Sequence, residues 1–312
     1  MDNFVHVPVM LNECINALNV KSGGIYFDGT LGGGGHSYEI LKNSSPNGKL
    51  IATDLDDYAI KRASERLDAF SGRFTVIKDN FKNFAKYYKE YAEDGFDGIL
   101  LDLGVSSFQL DDKSRGFSYL SPNEKLDMRM DTNNPLTAKK ILNEYSEADL
   151  KRILKDYGEE RFASQIAKNV VLYRKNKPIE CIGELNKIIE DSIPAKFKKD
   201  GHPSKRTFQA LRIEVNGELE ELYQTVINLV RALKSKGRIA ILTFHSLEDR
   251  IVKRAFRELE TDCICDKSLP ICVCGKKKEI NIITSHPIVA SETEIKQNTR
   301  SKCAKLRIAE KI

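Results

Sequence analysis

Residues 26–37 read YFDGTLGGGGHS: an apolar run, an acid, and four consecutive glycines, Gly32 to Gly35, ahead of a segment with helical spacing. In a strand or helix interior each glycine costs about 0.5–1 kcal/mol relative to alanine. A run of four is therefore expected where another group must approach the main chain closely. Working outward, the runs GIYFDG, KLIATD, FTVIKDN and FDGILLDLG each close on an acid or a glycine and lack polar alternation. That is the pattern of parallel strands covered on both faces. Between them, DDYAIKRASERLDAF and NFAKYYKEYAEDG carry helical spacing. Residues 24–104 are thus predicted to fold as βαβαβαβ, a doubly wound, Rossmann-like α/β sheet.

The next comparable strand is GRIAILTF, residues 237–244. About 130 residues precede it after Leu103, where a parallel crossover needs only about a dozen. Leu219, Leu222, Val226, Leu229, Val230 and Leu233 recur at helical spacing and predict the crossover helix. The surplus is helical in pattern. SEADLKRILKDYG opens on the capping pair Ser146 and Asp149, and RFASQIAKNVVLYRKN and IGELNKIIEDSI follow, separated by Lys177 and Pro178. An inserted all-helical domain, residues 106–214, is expected within an α/β domain made of residues 1–105 and 215–312. After the insertion, HSLEDRIVKRAFREL predicts a helix with Ser246 and Asp249 as its capping pair. SKCAKLRIAEKI alternates Cys303, Ala304, Leu306 and Ile308 with polar neighbours and predicts a last, edge strand.

Composition narrows the class. Of 312 residues, 41% are hydrophobic and 30% charged, as in an ordinary globular protein. The net charge of +5 goes with a pI of 8.6, mildly basic and below the value of about 9 that by itself points to nucleic acid. No apolar run approaches the roughly 18 residues of a membrane span, and MDNFVHVPVML lacks the basic start of a secretory signal. Seven cysteines, four of them in one stretch, do not suggest a disulfide framework, so a cytoplasmic location is expected.

Three loops could account for the glycines. A phosphate-binding Walker loop needs a lysine after its last glycine, and none follows. The dinucleotide pattern G-x-G-x-x-G, begun at Gly32 and Gly34, wants a third glycine where Ser37 stands. The pattern D-x-[GT]-x-G-x-G is met by Asp28, Thr30, Gly32 and Gly34. It is the nucleoside-binding loop of class I S-adenosylmethionine-dependent methyltransferases, whose glycines let main chain pass beside the methionine and ribose. Asp54 ends the second strand about 20 residues on, where a carboxylate accepts both ribose hydroxyls. Asp79 follows the third strand, placed to receive an adenine amine, and Phe81 could pack on the base. Asp102 ends the fourth strand, beside the crevice at the carboxyl ends of an open sheet. The plainer alternative is a glycine turn with incidental acids, since Asp is common in turns. Four strand ends in series, each with an acid, favour a nucleoside cofactor, and the failed third glycine favours S-adenosylmethionine over NAD.

The segment DGILLDLGVSSFQLDDKSRGFSYLSPNEKLDMRMD, residues 97–131, resembles a signature of the ribosomal small-subunit (16S) rRNA cytosine-N4 methyltransferases, the RsmH or MraW family. The similarity continues through HVPVML (6–11), DGTLGGGGHS (28–37), GEERFASQIA (158–167), HPSKRTFQALRIEVNGELEEL (202–222), LTFHSLEDRIVKRAF (242–256) and RSKCAKLRIAEK (300–311). The resemblance implies a class I methyltransferase domain interrupted by a helical substrate-recognition domain. It also implies methyl transfer from S-adenosylmethionine to the exocyclic amine of a decoding-region cytosine in 16S rRNA. Its cofactor contacts fall on Gly34, Gly35, His36, Asp54, Phe81, Asp102 and Gln109. His36 and Gln109 enter through the resemblance alone.

A cytosine amine is a poor nucleophile because its lone pair is delocalised. The nitrogen must be held about 3–3.5 Å from the methyl, and an acceptor for its hydrogens would localise the pair. The span DLGVSS offers no proline motif, so the Asp102 carboxylate or the carbonyls of residues 102–105 are the expected acceptors. The base must also leave its stack. KFKKDGHPSKR (196–206) gathers Lys196, Lys198, Lys199, Lys205 and Arg206 around His202, with Arg212 and Asn216 following. Lys205, Arg206, Arg212 and Asn216 are expected RNA contacts, the alternative being a solvated basic loop. Cys263, Cys265, Cys272 and Cys274 form C-x-C-x6-C-x-C. They are readable as a zinc site, as reduced thiols or as disulfides. The expected partner is 16S rRNA, within the small subunit, for a monomer or homodimer away from membranes. Two alternatives differ in class: an NAD-dependent oxidoreductase, which wants the glycine that Ser37 replaces, and a non-catalytic nucleic-acid-binding protein, which would have lost the strand acids.

Overall fold

Apolar runs without alternation have both faces to bury, and they form the centre of a sheet. The computed structural model describes residues 8–197, 202–266 and 271–312. The chain begins with α1 (Leu11–Leu18), β1 (Ile25–Asp28), α2 (Gly35–Asn43), β2 (Lys49–Asp54), α3 (Asp57–Leu67), β3 (Phe74–Lys78), α4 (Tyr88–Tyr91) and β4 (Phe96–Asp102). Helices then follow one another: α5 (Ser107–Asp111), α6 (Ala138–Glu144), α7 (Glu147–Asp156), α8 (Ala163–Arg174), α9 (Ile182–Ser192) and α10 (Lys205–Asn216). The return comprises α11 (Leu222–Arg231), β5 (Leu233–Thr243), α12 (Ser246–Glu260), β6 (Ile280–Ile282), β7 (Ile288–Val289), α13 (Glu292–Gln297) and β8 (Lys305–Lys311). The chain divides into two compact units, residues 1–104 with 219–312, and residues 105–218.

In the first unit the strand order is β3-β2-β1-β4-β5-β8-β6, with β7 also on β8. Neighbours from β3 through β5 are parallel, and β8 runs antiparallel to both β5 and β6. This is the class I methyltransferase arrangement. Chain order reverses between β1 and β4, the switch point beside which ligands bind in open α/β sheets. Register brings the acids to one rim, with Asp28 opposite Ala52 and Leu100, and Asp102 opposite Leu242.

Alternate residues of each strand feed opposite layers. Phe27, Ile99, Leu101, Ile239 and Ile241 pack under Val226 and Val230 of α11 and Val252 and Phe256 of α12. Tyr26, Leu50, Leu100, Ala240 and Leu242 pack against Leu18 of α1, Ile40 of α2 and Leu67 of α3. Full burial of one such Leu, Ile or Phe is worth about 1.5–3 kcal/mol. The second unit has its own core, built around Ile141, Leu150, Ile153, Ile166, Leu185 and Leu211. There Ser146 accepts the Asp149 N–H at 3.1 Å, the cap expected for α7.

Four local expectations are corrected. The terminal strand is not an edge: β8 lies between β5 and the pair β6 and β7. Strands of three and two residues are too short to announce themselves in sequence. Leu233 begins β5 rather than ending the crossover helix, which stops at Arg231. The run NFAKYYKEYAEDG, residues 83–95, is not one helix: a 3₁₀ segment, Phe81–Lys86, is followed by α4, with a break at Tyr87, whose ψ is −9° and φ −129°. The cap of α12 is His245, not Ser246. Its Nδ1 accepts the Glu248 N–H at 3.4 Å while Glu248 Oε2 accepts the His245 N–H at 3.2 Å. Asp249 instead pairs with Arg307 of β8 at 2.6 and 3.2 Å. Among the described residues no helix is long and apolar enough to cross a membrane.

Candidate functional site

The rim at the carboxyl ends of β1, β2 and β4 is laced to the glycine loop by its own backbone. The ladder continues one step past β1, with the Gly29 N–H on Leu100 O at 3.0 Å. The Leu31 N–H reaches Thr53 O at 3.0 Å, and the Thr53 hydroxyl donates to Gly29 O at 2.9 Å. On the other side, the Asp102 N–H donates to the Thr30 hydroxyl oxygen at 2.6 Å. Thr30, the second position of the loop pattern, thereby ties β1 to β4.

Each strand-end acid has distinct surroundings. Asp28 is fully buried and accepts from the Ser37 hydroxyl at 2.6 Å and the Thr30 N–H at 3.1 Å. Burial pushes its carboxyl up to about 6, against those hydrogen bonds and with help from the Asp54 charge. Asp54 accepts from the Gly32 N–H at 2.8 Å and the Asp56 N–H at 2.9 Å. Burial raises its carboxyl, opposed by these amides. Each oxygen keeps a second lone pair for a ribose hydroxyl. Asp102 has no such support. Its Oδ1 is buried without a hydrogen-bond partner among the described residues, and Oδ2 lies 3.8 Å from His36 Nδ1. Burial, then the charges of Asp28 and Glu248, push this carboxyl up to about 8.

His36, assigned by resemblance alone, is buried in the first turn of α2 with Nε2 3.1 Å from Val9 O. That contact to a carbonyl places a hydrogen on Nε2 and turns Nδ1 toward Asp102. The four glycines receive a more local explanation than expected. Gly34 has φ +71°, and an added Cβ would sit 3.0 Å from the Ala63 Cβ. At Gly35 it would meet Pro8 Cγ at 2.1 Å. The close approach at these two positions is made by protein, which seats α2 against α3 and the N-terminal segment. Gly32 has φ +50°, and its amide points to Asp54. Phe81 follows β3, and an added Cβ at Gly29 would lie 2.8 Å from its Cβ, so it borders the same loop. Asp79 holds Asn83 Nδ2 at 2.6 Å and the Asn80 N–H at 2.7 Å.

The remaining expected residues are placed as follows. Gln109 belongs to the second unit, buried, with its Oε1 accepting the Ser106 N–H at 2.9 Å at the start of α5. Lys205 and Arg206 stand exposed on the first turn of α10. Arg212 makes a paired contact with Glu218 at 2.8 and 2.7 Å. Asn216 accepts from the Met130 N–H and donates to Met128 O, both at 2.8 Å. These two expected RNA contacts thus have structural partners inside the second unit. His202 stacks on Tyr119 at 4.3 Å. Lys198 and Lys199 lie outside the described residues. The four cysteines gather between α12 and β6. Sequence reasoning missed Ser37 and Val9 as partners of Asp28 and His36: Ser37 counted only as a missing glycine, and nothing in the local pattern announces a main-chain carbonyl.

A family model described as the MraW methylase family matches residues 3–312. The chain is 52% identical over 310 residues to a protein of Lachnospira eligens named Ribosomal RNA small subunit methyltransferase H, covering 99% of this chain and 98% of that one. Proteins of the same name from Clostridium botulinum and Carboxydothermus hydrogenoformans are 52% and 50% identical over 309 residues, covering 99% of this chain and 99% and 98% of theirs. With a class I methyltransferase sheet, its loop pattern intact and a whole-length match, the chain belongs to the MraW methylase family.

Proposed function

We propose that the chain transfers a methyl group from S-adenosylmethionine to the exocyclic N4 amine of a decoding-region cytosine in 16S rRNA. The observation that carries this reading is the acidic rim at the switch point. Asp28, Asp54 and Asp102 surround one glycine loop, and Asp102 Oδ1 is buried with no hydrogen-bond partner among the described residues. An unpartnered buried polar atom costs about 1–3 kcal/mol, so the site is unfinished without a ligand that brings a donor or a positive charge. S-adenosylmethionine fits, because it supplies a methyl on a sulfonium cation together with an ammonium group. Asp54 would hold the ribose hydroxyls while its own amide partners fix its orientation. Phe81 would face the base, and Gly32, Gly34 and Gly35 would offer main chain. His36, held by Val9 O, would keep Asp102 oriented. Gln109 stands as a family-implied contact.

Asp102 also serves the target. Beside a cation its carboxyl would ionise, and an ionised Oδ1 accepts an amine hydrogen from cytosine. The lone pair then localises on N4 while base and methyl are held in line. The carbonyls of residues 102–105 are the alternative acceptors. In the second unit, Lys205 and Arg206 would grip phosphates of rRNA whose target base has left its stack. The protein would act in the cytoplasm, on the small subunit.

Small subunits lacking the modification, incubated with the protein and labelled S-adenosylmethionine, should gain one methyl on the N4 of a single decoding-region cytosine, read by nucleotide mass mapping. Label on another atom or another RNA, or no transfer, would sink the reading.

A further inference from the structure

The connection between α12 and β6 spans residues 261–279 and has no helix or strand among its described residues. Loops beyond about 12–15 residues without structure of their own are uncommon in compact domains. This one also lacks an apolar core, since Ile264, Ile271 and Val273 are 70%, 75% and 76% exposed. Instead it brings four thiols to one point. The Sγ atoms of Cys263 and Cys272 are 3.6 Å apart, Cys265 and Cys272 3.9 Å, Cys272 and Cys274 3.5 Å, and Cys274 and Cys263 3.9 Å. All four lie within 4.8 Å of one another.

These distances favour the zinc reading of the cysteines. A disulfide needs about 2.05 Å between sulfurs, and the cysteines are free. Four thiolates each about 2.3 Å from a central zinc ion stand about 3.8 Å apart along the edges of their tetrahedron. The observed separations scatter around that value. Main-chain amides complete the arrangement. The Cys265 N–H points to Cys263 Sγ at 3.4 Å, the Ile264 N–H to Cys274 Sγ at 3.5 Å and the Val273 N–H to Cys265 Sγ at 3.3 Å. Such donors stabilise sulfur that carries negative charge, as outer partners of metal ligands do. Lys276 and Lys277 follow directly, cations beside a site that would carry net negative charge.

We propose that Cys263, Cys265, Cys272 and Cys274 bind one zinc ion in a closed tetrahedral site that fastens the α12–β6 connection. Binding exchanges the four thiol protons for the ion. Nothing is oxidised, and no position is left open for catalysis. Tetrahedral four-sulfur sets take zinc or iron. The site sits outside the acidic rim and its role is structural, so its test is independent of methyl transfer.

Full-length protein purified without chelator should carry about one zinc per chain and no iron by elemental analysis. Replacing both Cys265→Ser and Cys272→Ser should lower zinc occupancy at least about tenfold, while Cys303→Ser leaves it unchanged. Should the double variant not fold, the wild-type protein still decides. After chelation it should take up about one equivalent of Co²⁺ with the intense visible bands of a tetrahedral thiolate complex. Bound iron, failure of the chelated wild-type protein to bind Co²⁺, or an intact mass four hydrogens light from two disulfides would each overturn the site.

Discussion

Asp102 concentrates the chemistry of the rim in one side chain. Its carboxyl is pushed up to about 8 by burial and by Asp28 and Glu248, and Asp28 is pushed up to about 6. Both hold protons that the unfolded chain releases near pH 4. The folded state therefore binds more protons from about pH 4 to about pH 8, and stability falls as pH rises through that window. The slope is up to about 1.4 kcal/mol per pH unit for each group. Asp102→Asn should remove its share of this slope in urea unfolding measured across that range. Ligand binding should run the opposite way. A cation beside Asp102 favours the ionised carboxylate, so S-adenosylmethionine should bind up to about tenfold tighter per pH unit until about pH 8 and level off above it. Calorimetry in two buffers of different ionisation heat should detect the released proton, and Asp102→Asn should abolish both release and slope. An unchanged profile in the variant would remove Asp102 from the site.

Loop and helix elements set how these acids are held. The turn from β1 into α2 passes through Gly32 and Gly34, both at positive φ, and Gly34 also has a near neighbour in Ala63. Gly34→Ala should cost about 1–2 kcal/mol for the left-handed conformation alone, with more for the 3.0 Å contact. Ala63→Gly in the same chain should recover the part of the packing cost due to the Ala63 Cβ and leave the conformational part and the 3.2 Å approach to the Ala63 Cα, which urea unfolding of the single and double variants would separate. Full recovery would show that φ was never the constraint. Similar logic explains why Ser37 is not glycine: its hydroxyl is a hydrogen-bond donor to the buried Asp28. A glycine there would suit a pyrophosphate loop but leave that carboxyl with one donor fewer.

At the scale of the whole molecule, the proposed function draws its acids from the sheet unit and its cations from the helical unit. Arg212 and Asn216 are engaged with Glu218, Met128 and Met130, so the proposed contact of α10 with RNA is left to Lys205 and Arg206. Neutralising both with Lys205→Gln and Arg206→Gln should lower the slope of log affinity against log salt for rRNA by about one to two. S-adenosylmethionine affinity should stay unchanged. A constant slope would make this turn a solvated surface.

Much of this was written in the order of residues. Uninterrupted apolar runs ending in acids named the parallel strands, because a strand buried on both faces has no room for alternation. The spacing Asp28, Thr30, Gly32, Gly34 and the later Asp54 and Asp102 named the rim, because loop conformation and strand-end position are local properties. The amphipathic runs from 146 to 192 named α7, α8 and α9 of the second unit for the same reason. Tertiary structure alone decided the rest. The burial of the terminal strand between β5 and β6 and the pairing of His36 with Asp102 join residues far apart in the chain. Local pattern carries no trace of such contacts, since each depends on where the sheet brings two distant segments together.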